Sequence, residues 1–177
     1  MNKLLCYLIL LSSSVIATAQ ETIMTPVSPS KQTTGFALPT PEGKLLNLND
    51  YQGKYVLVNF WAFWCSPCIK ELPDMQKLYD AFDKEEFEII GIHAGPYNAQ
   101  AAEFVKHFNI TFPIVSDADT SLKGWDVPAL PMSYLLNPQG EIIFKALGPR
   151  EWNYRDMQAL ISTSKTVVSI PTLISGK

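Results

Sequence analysis

The chain has 177 residues, 47% hydrophobic and 18% charged, with a formal net charge of −3 at pH 7. That length suits one domain with a real core, and the composition excludes both a disordered chain and one embedded throughout in a membrane. The small negative charge, with no cluster of Lys and Arg, excludes a generic nucleic-acid binder.

The chain opens "MNKLLCYLILLSSSVIATAQ", with Lys3, an apolar run from Leu4 to Leu11 and Ala17-Thr18-Ala19 before Gln20. This pattern predicts a signal peptide over residues 1–19, cleaved after Ala19, and so a periplasmic or otherwise exported protein. The rival reading is an uncleaved membrane anchor, but the apolar stretch falls short of the ~20 residues that span a bilayer. Cys6 leaves with the signal, so the mature chain keeps only Cys65 and Cys68 of its three cysteines.

Residues 20–34, rich in Thr, Ser and Pro without apolar period, read as a linker. A hairpin is expected from Phe36–Leu38 and Lys44–Leu48 around the Pro41-Glu42-Gly43 turn. "YVLVNFW", Tyr55 to Trp61, has the composition of a strand buried on both faces. A helix follows from Ser66 to Asp83, kinked at Pro73, then a strand from Phe87 to His93. Asn98 caps a helix through Phe108, "FPIVSD" gives a short strand, and a helical turn is expected at Asp119–Lys123. "MSYLLNPQGEIIFKAL" reads as two strands joined at Asn137-Pro138-Gln139-Gly140, with a last helix over Glu151–Ser162. The order describes an α/β domain over residues 35–163, a mixed central sheet flanked by helices with an N-terminal hairpin extension. The tail, 164–177, either docks as an extra segment or stays mobile.

The cysteine pair closes too short a loop to serve as a staple, because loop-entropy stabilisation grows with loop length. A zinc site lacks ligands, since His93 and His107 stand alone and no second cysteine pair exists; no metal and no cofactor are expected. A strand ending at Trp64 and a helix starting at Ser66 place Cys65 at a helix N-terminus, where free N–H groups and the helix dipole favour a thiolate. Pro67 suits the first turn, and Cys68, one turn on, is placed to resolve a mixed disulfide.

Glu71 heads an otherwise apolar stripe with Met75, Leu78 and Phe82, leaning toward the turn that carries Cys68. It reads either as a proton carrier near neutral pH or as a solvated Glu at the core's border, and the geometry favours the first. Trp61 reads as core. Trp64, beside the cysteine, divides evenly between core and the rim that meets a substrate. His93 and His107 read as structural or surface residues.

"VLVNFWAFWCSPCIKELPDMQKLY" resembles the active-site segment of the TlpA/ResA-like thioredoxin family of exported thiol-disulfide oxidoreductases. The likeness runs from about Phe36 to Ile161 and includes "NITFPIVSD" and "VPALPMSYLLNPQGEI". It implies Cys65 as nucleophile, Cys68 as resolving cysteine, Glu71 as the acidic residue of the helix, and Leu130-Pro131 as a cis-proline site that pairs with substrate backbone. Pro128 is the rival for that proline. Asn59 stands where thioredoxins proper carry a buried Asp, Met132-Ser133 where many relatives have two threonines, and Ser66-Pro67 forms the intervening dipeptide.

The resemblance further implies a protein disulfide reductase, and a monomer is expected. Its clients would be exported proteins or apocytochromes in cytochrome c maturation, and its reductant a membrane electron donor. Two other classes compete. A peroxiredoxin-type peroxidase would want Thr where Ala62 stands, and a copper-carrying module would want a wider cysteine spacing and a downstream His.

Overall fold

The computed structural model describes residues 22–121 and 124–168; the expected signal peptide and the last nine residues lie outside them. The elements are β1 (Thr25–Gln32), β2 (Ala37–Pro39), β3 (Leu45–Asn47), a 3-10 turn at Leu48–Tyr51, β4 (Tyr55–Trp61) and α1 (Ser66–Ala81). They continue with β5 (Phe87–Ala94), α2 (Ala99–His107), β6 (Ile114–Asp117), β7 (Met132–Leu136), β8 (Glu141–Leu147) and α3 (Tyr154–Val168). Six strands form one sheet in the order β1-β8-β7-β4-β5-β6, and β2 with β3 forms a separate hairpin. β4, β5 and β6 run parallel, while β7, β8 and β1 add antiparallel partners.

Every residue of β4 and β5 is buried, as their largely apolar runs predict, including the polar Asn59, Glu88 and His93. Alternation along the strands divides the core in two. Tyr55, Leu57 and Trp61 of β4, with Phe87 and Ile89 of β5, pack with Leu72, Met75 and Leu78 of α1 and Met157, Leu160 and Ile161 of α3. Val56, Val58 and Phe60, with Ile90 and Ile92, face the other way onto Leu48, Trp125 and the hairpin residues Leu38 and Leu46. Asn59 falls in the α1-facing row, among apolar neighbours. Gly91 is tightly packed there: a Cβ would lie 2.7 Å from Ile114 Cδ1 and 3.2 Å from Trp61 Nε1, so these side chains would have to shift to admit one.

Four sequence expectations are corrected. The stretch read as a linker contains β1, whose partner is β8. Prolines at 26 and 29 cannot donate to a ladder, which suits an edge strand with a register shift between Pro26 and Lys31. Ser30 and Gln32 side chains tie β1 to Glu141 at 3.1 and 3.0 Å, and Met24 just before it is 1% exposed. No helix forms at the described part of 119–123, because Thr120 takes φ 51° after a turn at 118–119; Leu122 and Lys123 lie outside the described residues.

The helix expected to reach Asp83 ends at Ala81, where Phe82 turns extended, its N–H bonded to Tyr79 O. α1 passes through Pro73 as one helix. The last helix starts at Tyr154 rather than Glu151, since Asn153 is the cap: its Oδ1 accepts from the Asp156 N–H at 3.0 Å. That helix runs into the segment read as a tail, reaching Val168.

Candidate active site

The chain leaves β4 through a tight turn in which the Cys65 N–H donates to Ala62 O at 3.0 Å. Cys65 then takes φ −88°, ψ 94°, the extended geometry of an N-cap, and its carbonyl accepts the first helical bond from Ile69 N–H. Its Sγ accepts from the Cys68 N–H at 3.3 Å, so the sulfur does the work that an Asp or Ser oxygen does at other caps. Pro67 lies in the first turn, where a missing N–H costs nothing. The two cysteines are joined as a disulfide. Cys68 is fully buried and Cys65 is 6% exposed, so Cys65 is the sulfur at the surface edge. On reduction, the helix N-terminus stabilises negative charge at Cys65.

Glu71 is 3% exposed, one turn beyond Cys68. The border-of-core reading, a solvated Glu, is therefore corrected: the carboxyl lies inside. Oε1 accepts from Asn59 Nδ2 at 2.8 Å; Oε2 accepts from the Arg150 backbone N–H and from Trp152 Nε1, both at 3.1 Å. Burial pushes the Glu71 carboxyl above the ordinary glutamate value, while these three hydrogen bonds and the Arg150 guanidinium pull the other way. A carboxyl under such opposed influences, beside a dithiol, can take and return a proton.

β7 brings the predicted proline to the same end of the sheet. Met132 pairs with Phe60, so Pro131 stands level with Trp61, where β4 gives way to the cysteine turn. The Leu130–Pro131 peptide is cis, and that of the rival Pro128 is not among the cis bonds. Leu130 is half-buried and touches both halves of the core. Trp61 is fully buried, whereas Trp64 is 65% exposed beside Cys65 and so is not part of the core. His107 ends α2 on the surface, and His93 is 1% exposed beneath the cysteine turn, with its ring stacked on Phe63.

The structure thus gathers Cys65, Cys68, Glu71, Trp64 and Pro131 at one end of the sheet. Sequence reading missed Arg150 and Trp152, which reach Glu71 from 79 and 81 residues away. A lone Trp after a Gly-Pro turn carries no local signal of such a contact. Among the described residues no group of three or more His, Cys, Asp or Glu could hold a metal, and no helix is long and apolar enough to cross a membrane.

A cysteine pair at a strand-to-helix junction, with a cis-proline leading into the neighbouring strand of a mixed sheet, defines a thioredoxin-like protein. The model of the AhpC/TSA family matches residues 29–145. Bacillus subtilis thiol-disulfide oxidoreductase ResA is 34% identical over 142 residues, 79% of each chain. The crystal structure of StoA from the same organism superposes with a TM-score of 0.60 at 31% identity, covering 72% of this chain and 96% of its own. A thiol:disulfide interchange protein of the thioredoxin family from Chlorobium tepidum gives a TM-score of 0.66 at 22% identity, over 77% and 97% of the two chains, a likeness of fold. The chain belongs to the AhpC/TSA family and is a thiol-disulfide oxidoreductase of thioredoxin-like fold.

Proposed function

We propose that this protein is exported and acts as a monomer to reduce disulfides in other exported proteins. The observation that carries the reading is the Cys65–Cys68 disulfide at the N-terminus of α1 with a buried carboxyl one turn on. In the reduced enzyme the Cys65 thiolate attacks one sulfur of a client disulfide. An S–S bond forms between Cys65 and the client, the client's own S–S bond breaks, and the departing client thiolate takes a proton from water. Cys68 then gives its proton to the Glu71 carboxylate and attacks Cys65 Sγ. The mixed disulfide breaks, the second client thiolate leaves and is protonated, and Cys65–Cys68 closes. Two electrons pass from enzyme to client. The cycle is restored by two electrons from a dithiol donor in the membrane, because the compartment that receives exported proteins is itself oxidising.

Trp64 supplies an exposed aromatic contact beside the reacting sulfur, and the Leu130–Pro131 segment offers backbone to an extended client chain. Apocytochromes are one fitting client class, since their paired haem-attachment cysteines must be thiols before haem is joined.

A Cys68→Ser variant tests the reading, because it stops the cycle after the first exchange. It is expected to accumulate exported proteins as mixed disulfides on Cys65, releasable by dithiothreitol, and an empty trap in an exporting cell would overturn the client assignment. Equilibration of the wild type with dithiol buffers tests direction. A potential near roughly −270 mV, that of thioredoxin, is expected, and one near roughly −120 mV would make the protein an oxidant.

A further inference from the structure

Every polar atom that meets the Glu71 carboxyl is a donor. Oε1 faces the Asn59 amide, and Oε2 faces the Arg150 backbone N–H and the Trp152 indole N–H. An indole N–H can only donate. Oε2 has both of its acceptor directions filled, so a proton arriving on it must break or turn the bond from Arg150 N–H or Trp152 Nε1–H, whereas Oε1 carries a single donor. The cage fits the carboxylate, in the part of the molecule least suited to hold a charge.

Trp152 is the replaceable member. The Arg150 contribution is a backbone N–H, held in place by its own side chain: Nε donates to Ile23 O at 2.8 Å, and Nη1 to Pro149 O and Gly148 O at 2.9 and 3.3 Å. Asn59 divides its amide between Glu71 and Ser133 Oγ, the latter at 3.0 Å. Trp152 is 4% exposed, with its ring in the core of the α1 side and its N–H spent on Oε2. We propose that Trp152 is a positioning residue for Glu71: its indole N–H holds the carboxyl as the ionised acceptor of the Cys68 proton and so sets the pH at which the second sulfur exchange runs. The inference rests on the proton role proposed for Glu71. The other titratable or charged groups facing that carboxyl are the Arg150 guanidinium, from the segment after β8, and the two thiols at the start of its own helix. β4 and β7 present the neutral Asn59 and Ser133.

In the step concerned, the proton leaves Cys68 Sγ for Glu71, the Trp152 bond to Oε2 weakens, and the Cys68 thiolate attacks. Without the indole N–H the carboxyl holds a proton more tightly. It is then ready as a base only at higher pH.

An aromatic disulfide that releases a coloured thiolate at each exchange separates the two steps in stopped flow: the first release reports Cys65 attack and the second reports resolution by Cys68. Trp152→Phe, which removes the N–H and keeps an aromatic ring, is expected to move the pH midpoint of the second phase up by about one unit and leave the first phase in place. Glu71→Gln is expected to abolish the carboxyl-dependent limb of the second phase. If Glu71→Gln changes that limb and Trp152→Phe does not, Trp152 has no such role while the Glu71 reading stands. If Glu71→Gln changes nothing, both fall. The unaltered protein gives a check independent of folding of the variant: the Trp152 indole N–H resonance of the reduced enzyme should titrate with the second-phase midpoint. A resonance fixed across that range would overturn the proposal.

Discussion

Asn59 on β4 and Glu71 on α1 are joined across the gap between sheet and helix by a hydrogen bond of 2.8 Å, with Nδ2 donating to Oε1. The same nitrogen donates to Ser133 Oγ on β7, while Asn59 Oδ1 is buried without a partner. The donor end of this amide is therefore what the site uses, and a carboxylate in its place would set two acceptors against each other.

Asn59→Asp is accordingly expected to cost about 1–3 kcal/mol at pH 8, where a second charge would sit against the buried Glu71. The sign with pH follows from linkage. A carboxyl whose folded value is raised leaves the unfolded chain to ionise first, so its contribution is fully present below the ordinary value and is lost as pH rises through the folded one. The penalty should shrink toward pH 5, where one proton bridges the pair. Urea denaturation of both proteins at pH 5 and 8 measures it, and an equal penalty at both would show that the two carboxyls do not sense each other.

Met24 marks where local pattern ceases to inform. β4 and α1 are legible because their burial is written into consecutive residues: a seven-residue stretch apolar or aromatic at every position but Asn59, then apolar residues at steps of three and four. The cysteines and Glu71 share that single junction, so one stretch of sequence exposes them together. β1 has almost no buried side chain, two prolines and a partner more than a hundred residues away, so neither alternation nor composition sets it apart from a linker. The donors on Glu71 are hidden for the same reason, since only chain closure brings residues 150 and 152 to α1.

A test of that segment follows from Met24, which is 1% exposed within the α1-side core. Met24→Ala should destabilise the mature protein by about 2–4 kcal/mol, the range for removing a fully buried large side chain. Thermal or urea unfolding checks it. A linker residue would lose nothing measurable, so a change within about 0.5 kcal/mol would mean that the segment does not belong to the folded unit.

His93 gives the fold a pH dependence opposite in sense to that of Glu71. Its Nε2 accepts from the Phe63 N–H at 3.3 Å and its Nδ1 lies 3.0 Å from Gly95 O, so the bonded arrangement is a neutral ring with hydrogen on Nδ1. Trp61 and Tyr97 meet the ring edge-on, and Phe63 stacks on it. Burial pushes its pKa below the ordinary 6.5, and the bond to Gly95 opposes this only in part. Because the folded value is the lower one, the unfolded chain protonates first. The stability His93 contributes is present above pH 6.5 and is lost as pH falls toward the folded value. A proton on Nε2 would also set two N–H groups against each other at Phe63, two residues before Cys65. His93→Gln should therefore be less stable than wild type at pH 7.5 by about 1–3 kcal/mol, through lost stacking and hydrogen bonding, with the gap narrowing as pH drops to 5. Comparing the two proteins at each pH cancels the opposite slope of Glu71, which both share. A gap that stays constant from pH 7.5 to 5 would mean that His93 binds protons equally in the folded and unfolded chains, and that the ring beneath the cysteine turn is not held neutral by the fold.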